Sequence, residues 1–429
     1  MQFKQYPIYK DSGVEWLGDV PEHWEVVRLD GAYKIVRGNT GFSKADLLET
    51  GQYVALQYGK TYKVDEINNS FTSYVNQEFF KVTQIAEFED IILISTSETL
   101  EDLGHSCFYA RQDIGLIGGE QFLLKPNQKD TLGKYLYYST KVFSRYLHKY
   151  ATGTKVYRFN IDDLKTIYIP KLSSFDQQKI VSFLDTETTR IDNLISKQEK
   201  LIELLEEQRK SIISHAVTKG LDPNAPMKDS GVKWLGEVPD HWIISRVKFN
   251  FRNLDSKRIP LTSEERSYRQ GDYPYYGASG IIDYVDSFIF EEDLVLFSED
   301  GANLTYRSMP ISFVATGKYW VNNHAHILKP FDSLTAYWAC VLESVDVNLS
   351  ITGATQPKVT AENLGNICIS FPPSFEERLS INNYILEESL KIDTLILKQN
   401  QLIEKLKEYR SSIISHAVTG KIDVREFGA

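Results

Sequence analysis

The sequence predicts an α/β (α+β) protein with two globular modules, separated by two long helices that pack as an antiparallel coiled coil with a pseudo-two-fold internal repeat. Three observations predict this fold: a long internal repeat, two heptad stripes, and strand-like apolar runs between turn signals. Of the 429 residues, 42% are hydrophobic and 25% are charged, which is typical of a folded chain with more than one core.

The strongest signal is the repeat. Residues 10–24 recur as residues 228–242 with three differences in fifteen positions, and residues 211–218 recur unchanged as residues 412–419. The stretches between these segments show little resemblance to each other. We therefore interpret the chain as two variable modules in a repeated frame, and a partner that binds the frame should meet two equivalent surfaces.

The repeat also predicts the domain boundaries. Residues 221–226 form a short linker with two prolines, of the kind that separates domains. Within the modules, residues 91–94, 294–297 and 325–328 are apolar runs that predict strands. The expected segments are 1–170 for the first module, 171–220 for the first helical region, 221–372 for the second module and 373–429 for the second helical region.

Both helical regions carry a stripe of mostly apolar residues at spacings of three and four, which predicts a coiled coil. Gln198 and Gln399 fall on the stripes, and a polar seam residue fixes register at some cost in stability. A helix of about thirty residues is about 45 Å long, which matches about thirteen base pairs and suggests a ruler. The predicted seam consists of Ile191, Leu194, Gln198, Leu201, Leu205, Ile212, Ile392, Leu395, Gln399, Leu402, Leu406 and Ile413.

A basic and aromatic segment marks the first module. Residues 131–161 contain six Lys or Arg, eight aromatic residues and no Asp or Glu, a composition suited to nucleic-acid contacts. For residues 132–149 an amphipathic helix with tyrosines in a core and lysines in solvent is an equal alternative. For the loop at 152–158 we favour DNA contact. The candidates are Lys149, Thr152, Lys155, Tyr157 and Arg158.

The second module has a related loop at residues 352–358, which again begins with Thr-Gly and ends with Lys. Glycine allows close approach of the backbone, Lys358 could contact a phosphate, and Gln356 offers a paired donor and acceptor to an adenine edge. Asn322 and Asn323 could read base edges or cap a turn, and the sequence does not choose between these roles.

We expect neither a metal site nor a catalytic residue. His324 and His326 would lie on one face of a strand, but no third ligand is apparent nearby. No phosphate loop of the Walker type occurs, and His215 and His416 have no acidic partner in view.

Composition narrows the class of protein further. A net charge of −10 argues against indiscriminate coating of nucleic acid. No apolar run is long enough to span a bilayer and the first residues have no signal shape, so we expect a cytoplasmic protein with no membrane partner. The widely spaced Cys107, Cys340 and Cys368 predict buried thiols rather than disulfides.

This layout resembles the specificity subunit of a type I restriction-modification enzyme, over nearly the whole chain. The first module departs from the family pattern, because residues 152–159 lack the Gln-Pro pair found at 356–357. The resemblance adds Tyr276, Asn303, His324 and Thr355 to the DNA-contact candidates. It rests on the repeated phrase Asp-Ser-Gly-Val-x-Trp-Leu-Gly-x-Val-Pro-x-His-Trp and on residues 191–195, 211–217, 273–280, 299–304, 320–326 and 352–358.

The resemblance implies a non-catalytic subunit that reads double-stranded DNA. Each module would be a target-recognition domain for one half of a split, asymmetric site, and the paired helices would fix the gap between the halves. Two adenine methyltransferase subunits and two ATP-driven restriction subunits would be its partners. S-adenosylmethionine, ATP and Mg²⁺ would be cofactors of those partners, with no cofactor in this chain.

Two other classes stay open at the level of sequence. A self-contained methyltransferase or nuclease would act on DNA without any partner, for instance by transferring label from S-adenosylmethionine. A coiled-coil scaffold with carbohydrate- or peptide-binding modules would retain no DNA selectively, even in an assembled complex.

Overall fold

The computed structural model describes residues 3–127, 132–353 and 356–427. The chain forms two compact units: unit 1 comprises Met1–Gln198 with Gln401–Ala429, and unit 2 comprises Glu199–Asn400. These units cut across the four segments expected from the sequence, because both long helices contribute to both units. The mixed helix and strand content in two repeated parts confirms the predicted fold class.

Unit 1 is built around a five-stranded sheet whose central strand, Ile91–Ile94, is buried at every residue. Strand order in this sheet is Tyr33–Arg37, Gln121–Pro126, Ile91–Ile94, Ser106–Tyr109 and Glu66–Ile67. A four-stranded sheet has the order Tyr74–Val75, Tyr53–Leu56, Gly115–Ile117 and Ile85–Ala86. The two-stranded pairs are Tyr9–Asp11 with Asp19–Pro21, Thr96–Ser97 with Tyr157–Arg158, and Glu25–Arg28 with Tyr168–Lys171.

The helix predicted near residues 132–149 is confirmed as Gly133–Leu147, and it packs its buried Tyr135, Leu136 and Phe143 into the largest core of unit 1. The other short helices of unit 1 are Leu29–Ala32, Tyr58–Thr61 and Ile161–Lys165, with 3₁₀ turns at Lys44–Asp46, Gln77–Phe79, Val82–Gln84 and His148–Tyr150.

Unit 2 repeats this plan with fewer strands. Its four-stranded sheet has the order Phe251–Asn253, Ala325–Pro330, Leu294–Ser298 and Ser312–Ala315, and its three-stranded sheet the order Gly280–Val285, Gln270–Gly277 and Trp320–Val321. The two-stranded pairs are Met227–Asp229 with Glu237–Pro239, and Ile243–Arg246 with Cys368–Phe371. The helices are Ser263–Tyr268, Asn303–Tyr306, Thr335–Glu343 and Ala361–Asn366, with 3₁₀ turns at Val247–Phe249 and Asp255–Lys257.

The two long helices are Ser174–Lys219, with 46 residues, and Phe375–Val418, with 44 residues. The first ends at the expected place, where Gly220 adopts a positive φ of 77° that glycine tolerates without strain. Across the described ranges, none of the helices combines the length and apolar composition required to cross a membrane.

Within each unit the helices run antiparallel. In unit 1, Asp192 accepts a hydrogen bond from Arg410 at 2.9 Å, while Phe183, earlier in the first helix, packs on Phe427, beyond the end of the second. In unit 2, Arg209 forms an ion pair with Asp393. The two ion pairs involve equivalent residues of the repeat, so the same contact is made twice.

The seam differs from the predicted stripe at three of its twelve positions. Leu201, Leu395 and Leu402 are 39%, 42% and 41% exposed, whereas the adjacent Ile202 is partly buried and Ile403 is buried. The residue after each of these leucines therefore lies on the inner face of the helix. Spacing alone could not distinguish the two positions, because both are apolar. Of the remaining predicted seam residues, Ile191, Leu205, Ile392 and Ile413 are buried, and Leu194, Gln198, Ile212, Gln399 and Leu406 are partly buried.

The cysteines are free thiols. Cys107 is buried in unit 1, while Cys340 and Cys368 are partly buried in unit 2. Burial raises the pKa of Cys107 and of Cys340 to about 12, which keeps these thiols protonated and unreactive at neutral pH.

Candidate nucleic-acid interface

Each module presents a hairpin that is closed by the same pair of main-chain hydrogen bonds. In the first hairpin, Thr152 and Arg158 exchange two backbone hydrogen bonds of 3.0 Å. In the second hairpin, Thr352 and Lys358 exchange two of 2.8 Å. The candidate Thr355 lies outside the described residues. The closing pairs are thus equivalent although the modules differ in sequence.

The glycine after each threonine is required by this geometry. Gly153 has a φ of 113°, and a Cβ there would lie 2.0 Å from the carbonyl oxygen of Val156. Gly353 has a φ of 88°, and a Cβ there would lie 2.5 Å from the carbonyl oxygen of Gln356. The recurring Thr-Gly pair is therefore a signature of the turn itself.

The first hairpin exposes its cations. Lys155 and Arg158 in the hairpin, and Lys149 in the turn before it, are exposed; among the residues described, neither Lys155 nor Arg158 forms an ion pair. The Lys149 ammonium lies 5.1 Å from the centre of the Tyr150 ring, and Tyr157 is half-buried. Cations without a carboxylate partner are available to neutralise phosphates.

The second hairpin differs, because its cation is held by an acid. Lys358 Nζ lies 2.8 Å from Glu299 Oε1, and Glu299 also accepts a hydrogen bond from Arg258. Burial alone would raise the pKa of Glu299, but hydrogen bonds from Lys358 and Arg258 bring that pKa below its ordinary value. The hydrogen bond to Glu299 raises the pKa of Lys358. In the free protein, the ion pair with Glu299 therefore holds the Lys358 side chain in a fixed orientation.

His326 completes this network. Its Nδ1 lies 2.6 Å from Asp255 Oδ2, and its Nε2 lies 2.8 Å from the carbonyl oxygen of Val359, the residue after the second hairpin. Asp255, Glu299 and His326 are close enough to share a metal ion. Two cations, Arg258 and Lys358, already engage Glu299, which disfavours a further cation. We interpret the cluster as a support for the hairpin.

The expectation that His324 and His326 share one face of a strand is wrong. The strand Ala325–Pro330 begins after His324, whose Nδ1 instead lies 2.9 Å from Asp300. His326 alone points into the buried network, and its acidic neighbours come from distant parts of the chain. Asp255 and Glu299 are 71 and 27 residues away from His326 in the sequence, so they could not be recognised as its neighbours.

The paired asparagines lie in a turn. Asn322 is buried and its side-chain oxygen accepts the backbone N–H of His324 at 2.8 Å, which is the turn-capping alternative. Asn323 is exposed, and its carbonyl oxygen accepts a hydrogen bond of 3.3 Å from Arg258. Base reading by either residue stays a prediction.

Two further candidates organise loops. The side chain of Asn303 bonds both the N–H and the carbonyl of Met309, each at 2.9 Å, and so closes the loop after Ser298. The half-buried Tyr276 ring packs at 5.9 Å from that of Phe313. Gln356 is exposed on the second hairpin, as a base-reading residue requires.

For the basic helix of the first module, the structure supports the tyrosine core of the amphipathic alternative, but its lysines are partly buried in ion pairs instead of lying in solvent. Tyr135 and Tyr137 are buried. Lys134 lies 3.3 Å from Asp185 and Lys141 lies 2.6 Å from Asp65. Lys134 and Lys141 of Gly133–Leu147 are therefore partly neutralised within the protein, whereas Arg145 near its end hydrogen-bonds Ser411 and forms no ion pair with a described residue.

Sequence reasoning missed an aromatic and basic turn beside the first hairpin. The rings of Tyr58 and Tyr62 stack at 5.6 Å, and Lys63 lies 5.5 Å from the Tyr62 ring. Tyr58 lies beside Ser97, which pairs in register with Tyr157 of the hairpin. Residues 57–63 contain two lysines and no acid, a signal too short to stand out.

Comparisons with known protein families and with known sequences indicate the same family. The family profile "Type I restriction modification DNA specificity domain" matches residues 21–205 and 249–408. The chain is similar to the type I restriction enzyme MjaVIII specificity subunit of Methanocaldococcus jannaschii, with 24% identity across 95% of this chain and 94% of that protein. It is also similar to the putative MjaX specificity subunit of that organism, with 23% identity across 99% of both chains.

Two solved structures share the fold. The HsdS subunit from Thermoanaerobacter tengcongensis superposes with a TM-score of 0.51 at 16% identity, over 94% of this chain and 98% of that one. A chain from a structure described as a basis for complex assembly and conformational transition of the type I R-M system gives 0.64 at 15% identity, over 93% and 98%.

Proposed function

Since the chain belongs to the family of type I restriction-modification DNA specificity domains and is a DNA-recognising specificity subunit, we propose that it reads a bipartite, asymmetric site. Each module would recognise one half. The observation that carries this proposal is the pair of equivalent hairpins, one per module, on a repeated frame. Equivalent closing pairs with different side chains suit two readers of different sequences.

The hairpins would contribute differently to binding. Lys155 and Arg158 of the first hairpin have no carboxylate partner among the described residues, so they are available to phosphates. Lys358 must share its ammonium with Glu299, while Gln356 beside it is exposed. A side chain held in one place suits base reading, which depends on precise geometry.

The long helices would set the gap between the half-sites. With 46 and 44 residues, they are about 69 and 66 Å long, which is longer than the thirty residues assumed from sequence. Their antiparallel ion pairs, Arg410 with Asp192 and Arg209 with Asp393, fix the register in each unit.

The frame would also carry partners. Leu201 and Leu402 occupy equivalent positions of the repeat and remain exposed, so each offers the same apolar contact. We propose that these surfaces dock two methyltransferase subunits and that two restriction subunits join them. Catalysis, with S-adenosylmethionine, ATP and Mg²⁺, would belong to these partners. A net charge of −10 leaves much of the phosphate binding to them.

Module exchange tests the proposal. The native subunit and a chimera whose residues 25–150 come from another specificity subunit would each be expressed with the methyltransferase partner, and methylated motifs would be mapped by modification-sensitive sequencing. We expect the chimera to change one half of the motif and to keep the other half and the gap. A chimera that leaves both halves unchanged, or changes both, would contradict the proposal.

A further inference from the structure

The two ends of the repeated frame carry the same His-Trp pair beside an acid. In unit 2, Glu377 accepts hydrogen bonds of 2.9 Å from both His241 Nε2 and Trp242 Nε1. In unit 1, the equivalent acid is Asp176, whose carboxylate lies 3.9 Å from His23 Nε2. The two ends are built alike, so a difference between them is informative.

At the end in unit 1, the space beside this pair is filled by Tyr6. This residue is only 4% exposed, and its ring lies 5.6 Å from that of His23 and 5.7 Å from that of Trp24. The guanidinium of Arg425 covers the ring at 4.8 Å. Two separate segments therefore close this end: one precedes the repeat and the other follows the second long helix.

At the equivalent end of unit 2, one linker takes the place of both covering segments. Residues 220–226 leave the first long helix and lead directly into the second copy of the repeat. In the register of the repeat, Asn224 stands where Tyr6 stands in unit 1. None of the described residues that line this space is Phe, Tyr or Trp, and a cavity of about 310 Å³ remains beside His241 and Glu377.

This cavity, which we call the linker pocket, has the lining that an aromatic ring requires. Ile381, Pro239 and Leu221 supply apolar surface, which favours a ring through burial. The Lys219 ammonium at the wall donates hydrogen bonds to the carbonyl oxygens of Leu235 and Glu237. The volume lies at the lower end of the range for ligand pockets. In unit 1, His23, the equivalent of His241, packs against Tyr6, and Asp176, the equivalent of Glu377, lies 3.9 Å from His23.

We propose that the linker pocket binds a tyrosine side chain from an extended segment of a partner protein, in the way that unit 1 binds Tyr6 of its own chain. This goes beyond the reading of DNA and the symmetric docking of two identical subunits. Because the equivalent space in unit 1 is already filled, such a partner segment binds once per chain.

The probe is an acetylated and amidated peptide with the sequence of residues 4–8, Lys-Gln-Tyr-Pro-Ile, which contains one aromatic residue. Binding to the full chain is measured by ligand-observed saturation-transfer NMR in a titration. We expect saturable binding with one site per chain, weakened at least tenfold when the peptide tyrosine is replaced by alanine. Absence of saturable binding, or binding that does not depend on the tyrosine, would overturn the proposal.

Two variants of the chain locate the site. Asn224→Tyr places the ring in the pocket from within and should abolish peptide binding, and Ala225→Phe provides a second blocking variant if the first does not fold by circular dichroism. Tyr6→Ala opens the equivalent space in unit 1 and should raise the stoichiometry to two. Unchanged peptide binding by the folded blocking variants would place the peptide elsewhere and refute the assignment.

Discussion

Gly153 and Gly353 hold the hairpins in backbone conformations that a side chain cannot share. We expect Gly353→Ala to weaken recognition of one half-site by about tenfold, because strain of about 1 to 3 kcal/mol must be relieved by reshaping the turn. Gly153→Ala should do the same at the other half-site. Competition binding of the assembled complex to DNA with one half-site scrambled measures each effect.

The matched control for this pair is Gly317→Ala. Gly317 also has a positive φ, of 70°, but a Cβ there meets nothing within 4 Å. It should lower module stability without selective loss at a half-site. Equal effects of Gly353→Ala on both half-sites would argue against one hairpin per half-site.

The buried network under the second hairpin makes unit 2 sensitive to acid. Burial would raise the pKa of Asp255 and Glu299, but hydrogen bonds from His326, Lys358 and Arg258 bring both below their ordinary values of 3.8 and 4.5. Carboxyl groups with lowered pKa stabilise the fold fully above those ordinary values, and this stabilisation is lost as the pH falls through the lowered ones.

Glu299→Gln should therefore lower the free energy of unfolding of unit 2 by about 1 to 3 kcal/mol at pH 7, since Lys358 and Arg258 lose their negatively charged acceptor. Between pH 5 and pH 3 the variant should lose less additional stability than the wild type. Calorimetry across this range measures both effects, with the exposed Asp272→Asn as control. An identical acid dependence in variant and wild type would exclude Glu299 as a contributor.

At the residue scale, the two hairpin loops could be predicted from the sequence, but the buried network that contacts the second one could not. The Thr-Gly pair before Arg158 and Lys358 could be recognised because the local geometry of the turn requires the glycine. The network of Asp255, Glu299 and His326 was not visible, since tertiary folding alone brings these residues together. The capping role of Asn322 was one of two open alternatives; the structure adds its hydrogen bond to His324, and base reading stays a prediction.

The two copies of the repeated frame differ in one hydrogen bond, the one donated by the tryptophan of the His-Trp pair. Trp24 Nε1 is buried and has no hydrogen-bond partner among the described residues, while Trp242 Nε1 bonds Glu377. An unsatisfied buried donor costs about 1 to 3 kcal/mol. The shorter Asp176 leaves this donor unpaired.

Asp176→Glu should therefore stabilise unit 1 by about 1 kcal/mol, and Glu377→Asp should destabilise unit 2 by a similar amount. Denaturant unfolding followed by tryptophan fluorescence measures both changes. The reciprocal design is its own control, because the same pair of residues is exchanged in opposite directions. Destabilisation by both variants would show that the acid length is matched to each end separately.

Exposed leucines on the helices should control partner number. Leu201→Glu and Leu402→Glu each place a charge on one of two equivalent apolar surfaces, which costs docking at that surface only. Native mass spectrometry of the assembled complex should show two methyltransferase subunits for the wild type and one for each variant. Lys200→Glu, one position away on an exposed face, controls for charge, and loss of both copies from a single variant would contradict equivalent docking.

The helices themselves were predictable because the apolar periodicity persists over many turns, and Gly220 ends the first one where expected. Their inner faces were not fully predictable. Adjacent apolar residues such as Leu201 and Ile202, or Leu402 and Ile403, satisfy the stripe equally well, and only the antiparallel pairing in each unit selects between them. Strands such as Ile91–Ile94 were confirmed, whereas two-residue strands leave no periodicity to read.

At the scale of the whole molecule, the spacing of the modules should follow the helices. Seven residues inserted between Lys200 and Leu201, and seven between Gln401 and Leu402, preserve the heptad pattern and add about 10.5 Å. We expect the gap in the methylated motif to lengthen by about three base pairs, as read by modification-sensitive sequencing. Insertion into one helix alone should prevent assembly, and an unchanged gap after the double insertion would remove the ruler from the mechanism.

The division of the chain into units has a consequence for its synthesis. Unit 2 is a continuous stretch, Glu199–Asn400, whereas unit 1 needs Gln401–Ala429 to finish what Met1–Gln198 begins. Buried Ile414, Val418 and Ile422 belong to the same core as Leu17. At translation rates of about 5 to 20 residues per second, the amino-terminal part of unit 1 waits on the order of 10 to 50 s until residues 401–429 have been synthesised. Unit 2 can therefore complete its core during translation, whereas unit 1 can complete its core only after the last residues have been made.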